Sequence, residues 1–301
     1  MTKLSAGYAA LFASALMYGL MVFGAKLMQM AGLSLVEVLV LPSLLVICAI
    51  AAPVWRRRRE LARIPAGLYA LYLLISIVGQ VGQYAGLFMG VSVSIVLFCL
   101  FSQPVWTILL GRFVLKNRVS RQEMAIGALV IAGLALLLAP WRGVSYSLLG
   151  VALPLVGGLC MAAWVLLSAR LSKLGVSPLA QTFVQNVSAS LPFVLAYPLI
   201  RAALPADGMT ALSAHPPLVW AGVAFFALAL MTLAPMLFYK ATQTVNPIRC
   251  GMVLLLEPVV GTTLDTVFLG HAFTWNIAVG GALILLANAR LAMAGSKLTP
   301  H

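Results

Sequence analysis

The chain has 301 residues, 63% hydrophobic and only 8% charged, with a formal charge of +13. A water-soluble domain carries about 25% charged residues, so this chain lacks the polar surface water requires and lipid must be its solvent. The basic excess would suit nucleic acid, but its placement along the chain excludes that reading.

Ten apolar runs follow one another: Leu4–Gln29, Ser34–Trp55, Ala66–Phe88, Val91–Leu110, Glu123–Leu138, Ser147–Leu167, Pro178–Leu199, Pro217–Tyr239, Val245–Phe268 and Phe273–Ala292. Each approaches the roughly 20 residues a helix needs to cross hydrocarbon. Strand-type alternation is absent, which excludes a membrane β-barrel. The first run is long enough to span and no A-x-A-type cleavage motif follows it, so it reads as a retained span. The expected fold is an all-α integral membrane protein with ten transmembrane helices.

With the N-terminus inside, the inner segments hold sixteen of the nineteen Lys and Arg residues, among them Arg56–Arg59, Arg63, Arg112, Lys116, Arg118 and Arg121. Lys26, Arg142 and Arg201 fall outside. This positive-inside bias places both termini in the cytoplasm and absorbs the charge as topology. The Arg56–Arg59 run also suits anionic lipid. Cys48, Cys99, Cys160 and Cys250 show no CxxC spacing and read as small buried hydrophobes.

Val91–Leu129 lies 154 positions before Val245–Leu283 and matches it without a gap. Val91 pairs with Val245, Leu100 with Leu254, Pro104–Val105 with Pro258–Val259, and Gly127–Leu129 with Gly281–Leu283. A half-chain repeat in an apolar protein is the mark of a transporter built from two homologous bundles. Five spans per half is odd, so the second copy enters the membrane from the opposite side. The flanks agree: the loop with Arg112, Lys116, Arg118 and Arg121 matches a second-half loop that lacks Lys and Arg and carries His271 opposite Asn117. The boundary lies near Pro140–Tyr146, giving repeats over 1–143 and 144–301.

Polar groups at membrane depth are costly and need reasons. Glu257 lies about 12 residues, roughly 18 Å, into its span. Pro258 beside it cannot donate to the Leu254 carbonyl and predicts a kink. The aligned pair is Gln103–Pro104, so the kink is duplicated and the charge is not. Glu257 is therefore a candidate amine or proton site, with a bonded structural carboxyl as the alternative. Asp265, two turns further out, aligns with Gly111 and is a candidate ion-pair partner of Lys26, with substrate gating as the alternative. Gln83 and Tyr84 (with Gln80) on span three are candidate substrate contacts. Gln181, Gln185 and Asn186 form a polar stripe on span seven, suited to substrate or to interhelical bonding. Tyr18, Phe101 and Trp164 are candidate aromatic walls, and Pro104 and Pro258 candidate hinges.

The chain resembles the EamA family of the drug/metabolite transporter superfamily. The resemblance rests on Tyr84–Gly86–Leu87, Val91–Ser92, Pro104 and Lys116–Ser120 leading to Gly127. The second copy repeats it at Phe238–Tyr239, Pro258, Leu269–Gly270 and Gly280–Gly281. It implies two five-helix repeats around a central cavity and transport of amino acids or other small metabolites, most often outward, across the bacterial inner membrane. Many relatives carry Glu where this chain has Asn117 and His271.

No GxxxxGK[ST] loop is present, so ATP does not drive transport directly. His215, His271 and His301 form no ligand cluster, no GxSxG occurs, and neither an enzyme nor a cofactor is indicated. The expectation is secondary transport of a neutral or aromatic amino acid by alternating access. Proton-coupled efflux of lipophilic cations, and transport of a vitamin or nucleoside, are the alternatives.

Overall fold

The computed structural model describes residues 3–103, 105–106, 109–110, 121–139, 146–203, 215–241, 245 and 253–295. Among these it is helical throughout. The helices are α1 (Lys3–Met30), α2 (Leu35–Trp55), the short α3 (Arg58–Leu61), α4 (Ala66–Phe88), α5 (Val93–Leu100), α6 (Arg121–Leu138), α7 (Leu148–Lys173) and α8 (Pro178–Ala203). A long span, Pro217–Ala241, then runs as α9 (Pro217–Phe225), a π segment (Phe226–Leu233) and α10 (Ala234–Ala241). The described part closes with α11 (Leu256–Leu269) and α12 (Trp275–Gly295).

Among the described residues, five helices are long and apolar enough to cross a bilayer: Ala6–Met30, Leu35–Trp55, Ala66–Phe88, Leu148–Lys173 and Pro217–Ala241. Met124–Leu138 is a shorter apolar helix. Serines start four helices by accepting first-turn amides: Ser34, Ser92, Ser147 and Ser177 bond the amides of Glu37, Ile95, Gly150 and Ala180. Such caps satisfy N–H groups that have no partner within the helix. Glu37 returns the bond to the Ser34 amide at 2.7 Å, completing a capping box.

Packing between the halves is reciprocal. Helix α4 lies on α7, and their counterparts α1 and α10 lie on each other. Likewise α5 packs on α7 as α11 packs on α1. The remaining pairs, α2 with α8, α5 with α11 and α6 with α12, each join equivalent elements. This is the pattern expected of two copies related by a pseudo-two-fold axis.

Backbones approach closely where side chains vanish. A Cβ on Gly82 would stand 2.7 Å from the Leu153 carbonyl oxygen, and one on Gly86 2.7 Å from that of Gly150. Small residues spaced by four let membrane helices touch at the backbone, and this contact fixes α4 against α7.

Span four is not the continuous helix expected over Val91–Leu110. Helix α5 stops at Leu100, a turn covers Phe101 and Ser102, and helix resumes at Gln103. In the second half Leu255 is likewise a turn residue between helical Leu254 and α11. Phe101 and Leu255 are aligned positions, so both copies break at one place, three residues before their prolines. Pro104 itself lies outside the described residues.

Candidate functional site

A cavity of about 110 Å³ lies between the two halves. That is roughly ten times what one water needs (~10–15 Å³). Helix α4 lends Ser76, Gln80 and Gln83, which share one face at helical spacing. Helix α1 adds Tyr18 and Met21, and α7 adds Cys160, Met161 and Trp164. Gln185 and Asn186 come from α8, Met231 and Pro235 from the π-containing span, and Leu100, Leu254 and Glu257 from the broken spans.

Glu257 is 4% exposed and is the sole carboxyl among the described lining residues, none of which is Lys, Arg or His. Tyr18 and Tyr84 both lie within its electrostatic reach. Four lining atoms are buried with no hydrogen-bond partner among the described residues: Tyr18 Oη, Ser76 Oγ, Gln80 Oε1 and Asn186 Oδ1. Buried polar atoms are ordinarily paired, and each exception calls for a bound molecule or another reason. The Asn186 Nδ2 is already committed to the Thr182 carbonyl at 2.9 Å, and Gln185 Oε1 accepts from the Tyr239 hydroxyl at 3.3 Å.

The aromatic wall is held in place. The Trp164 indole donates to Tyr72 Oη at 2.9 Å and stacks on Phe238, with centroids 5.8 Å apart at 25°. Tyr18 meets Phe238 edge-on at 6.4 Å, and Tyr239 lies 5.9 Å from Trp164. The lining thus combines the Tyr18 and Trp164 rings with the amides of α4 and α8 and the Ser76 hydroxyl.

A family model for EamA-like transporters matches residues 5–139 and again 148–291. The chain belongs to the EamA-like transporter family. As an EamA-like protein it is an integral membrane protein that moves small molecules, built from two copies of one repeat. One solved crystal structure shares this fold with a TM-score of 0.63 at 14% identity, covering 98% of this chain and 99% of its own. No curated protein matches.

In this EamA-like fold the residues expected at the site take different places. Glu257, Gln83, Tyr18 and Trp164 meet at the cavity. Tyr84 and Phe101 do not line it: both are buried in the main core, Tyr84 at 1% exposure. Gln103 begins the helix beyond the break, half-buried and outside the lining. Pro258 is buried on α11 beside Glu257.

Lys26 and Asp265 form no ion pair. Lys26 Nζ donates to Gln29 Oε1 at 2.7 Å and to the Leu87 carbonyl at 3.4 Å, near its own helix end. Asp265 is taken by Ser94 and His271, closer groups on neighbouring segments. Of the cysteines, Cys99 and Cys160 are buried, but Cys48 is exposed on the outside of α2, where lipid can receive a small thiol as readily as a core does. Cys250 lies outside the described residues. Gln181 turns away from the cavity and bonds Ser172 Oγ and the Val176 carbonyl.

Of the span-seven stripe, Gln185 and Asn186 line the cavity while Gln181 does not. Two features escaped sequence reasoning. The π segment went unseen, although Pro235, which cannot donate to the Met231 carbonyl, marks where it ends. Thr232 Oγ1 bonds the Ala227 carbonyl at 3.0 Å, five residues back, as the wider turn allows. Asn288 on α12 donates to the Phe101 carbonyl at 3.1 Å and so satisfies the backbone opened by the break in span four.

Proposed function

We propose that this protein is an inner-membrane secondary transporter that exports a small amine-bearing metabolite, an amino acid foremost, by alternating access. In this reading ten spans form two inverted repeats over 1–143 and 144–301, with both termini cytoplasmic. Glu257 receives the amine, or a proton in its place. Gln80, Gln83 and Ser76 donate to the substrate's polar end, and Tyr18 and Trp164 pack on its apolar side chain. Pro104 and Pro258 are the flexing points as one bundle rocks against the other. The observation that carries this reading is a buried carboxyl that lines one cavity together with unpartnered hydroxyl and amide groups and aromatic rings. Anionic lipid gathers at Arg56–Arg59.

The absence of Lys, Arg and His from the described lining favours a second substrate class, the lipophilic monocation exchanged for protons at Glu257. A zwitterion's carboxylate would be held there by neutral donors alone, whereas a cation needs no such partner. Counterflow in proteoliposomes separates the two classes. Trans-stimulated uptake of one or a few labelled amino acids supports the first. Silence across the amino-acid panel with folded, inserted protein overturns it, and uptake of a lipophilic cation opposed by protons establishes the second.

A further inference from the structure

Asp265 is fully buried, at 0% exposure, yet it lies two turns beyond Glu257 and lines no part of the cavity. Its Oδ2 accepts the Ser94 amide at 3.1 Å and the Ser94 hydroxyl at 2.6 Å. Its Oδ1 lies 2.7 Å from His271 Nδ1, on a side chain 46% exposed. Ser94 is the second residue of α5, so the carboxylate accepts a first-turn amide, where the helix dipole favours a negative charge. Helix α5 belongs to the first repeat, α11 and His271 to the second. The carboxylate thus joins the copies across the contact between spans four and nine.

The clasp is one-sided. Ser94 aligns with Ile248 and Asp265 with Gly111, so the repeat places no equivalent pair at the other end of the bundle. That other end, where α3 lies, is joined differently: the Ser177 amide at the start of α8 donates to Glu60 Oε2 at 2.8 Å. Lys26, near the end of α1, stands within electrostatic range of Asp265 without touching it. Asp265 thus takes two donors from one copy and meets a ring nitrogen on an exposed loop of the other.

We propose that Asp265 is a positioning residue for transport: it clasps the repeats shut at the His271 end, and its release opens the cavity to that side. This rests on the alternating-access reading above. Cys160 lines the cavity and reports access to it. The experiment uses full-length protein with Cys48, Cys99 and Cys250 replaced, in vesicles whose His271 side faces out, treated with a membrane-impermeant maleimide. His271→Ala, at an exposed position that the fold tolerates, and Ser94→Ala each remove one bond and raise the Cys160 labelling rate by about 2- to 10-fold, the population shift that one hydrogen bond supports. Ser94→Thr restores the hydroxyl and the original rate. Asp265→Asn labels fastest. Labelling that is equal or slower in all of these variants, beside intact counterflow, overturns the clasp and leaves the transport reading standing. Faster labelling with no amino-acid counterflow supports the clasp and overturns only the substrate.

Discussion

Leu100 and Leu254 are aligned residues of the two repeats, and both face the one cavity. Each stands four residues before a proline, so neither carbonyl receives the usual helical N–H. Next to each the helix gives way to a turn, at Phe101–Ser102 and at Leu255. The duplicated break thus brings opened backbone to the site from both sides, as in transporters whose substrates sit among interrupted helices.

Asn288 is what makes the first break tolerable. Replacing it with Leu leaves the Phe101 carbonyl without its 3.1 Å donor. The expected cost is about 1–3 kcal/mol, the penalty of a buried unpaired acceptor. Thermal unfolding in detergent measures it, and an unchanged Tm would mean the carbonyl has found another donor.

Glu257→Gln keeps the shape of the side chain and removes its charge. Loss of a charge-assisted bond to a substrate amine is worth about 1.5–3 kcal/mol, or roughly 10- to 100-fold. Initial counterflow rates should fall by that factor, with Gln83→Ala falling less. Full activity in Glu257→Gln would remove the carboxyl from the site's chemistry.

Tyr72→Phe tests whether the Trp164 ring is held for substrate. The mutation takes away the 2.9 Å acceptor of the indole and leaves the cavity lining unchanged. A net loss of about 0.5–1.5 kcal/mol corresponds to a roughly 2- to 10-fold rise in the concentration for half-maximal transport. A change in maximal rate alone would point instead to the conformational step.

Gly82→Val drives a side chain into the Leu153 carbonyl and the Gly157 amide, which would lie 2.7 and 2.8 Å from its Cβ. Backbone cannot step aside as a side-chain tip can, so α4 and α7 must separate. Overpacking of this kind costs about 1–3 kcal/mol or more. Yield of folded protein and Tm should both drop, while Gly67→Ala, where a Cβ meets nothing within 4 Å, should leave them unchanged.

The Glu60–Ser177 link predicts a pH effect at the α3 end. Partial burial works to raise the Glu60 carboxyl, but hydrogen bonds from the Ser177 side chain and backbone, with Arg57 and Arg63 beside it, outweigh that and hold its pKa below the ordinary Glu range. A lowered folded-state value stabilises the protein above the unfolded value of about 4.3, and that stability is lost as pH falls through the folded one. Wild type should exceed Glu60→Gln in Tm at neutral pH, and the gap should close in acid. A gap that persists below about pH 3 would assign the effect to packing.

Much of the architecture was legible because lipid imposes simple demands. Apolar runs of span length can only be helices there, and a gapless match between copies shows a duplication. Glu257, Gln83, Tyr18 and Trp164 were legible as expensive or bulky groups at depth. Tyr84 and Phe101 were not separable from them, because helical phase decides which neighbour of a lining residue faces inward. Gln83 turns to the cavity and Tyr84, one residue on, turns to the core. Asp265 was visible as a buried charge, but its partner was misread: Ser94 lies 171 positions away and carries no charge to advertise it. Asn288 gave no signal, since its role depends on a break in another helix.

The π segment changes which face its span presents. Its wide turns, with hydrogen bonds reaching five residues back, advance fewer degrees per residue than α turns. Met231 lies within the segment and Pro235 just past it, and both line the cavity. The counterpart α4 runs as an unbroken helix over 23 residues, so the two copies turn different registers of equivalent spans toward one site.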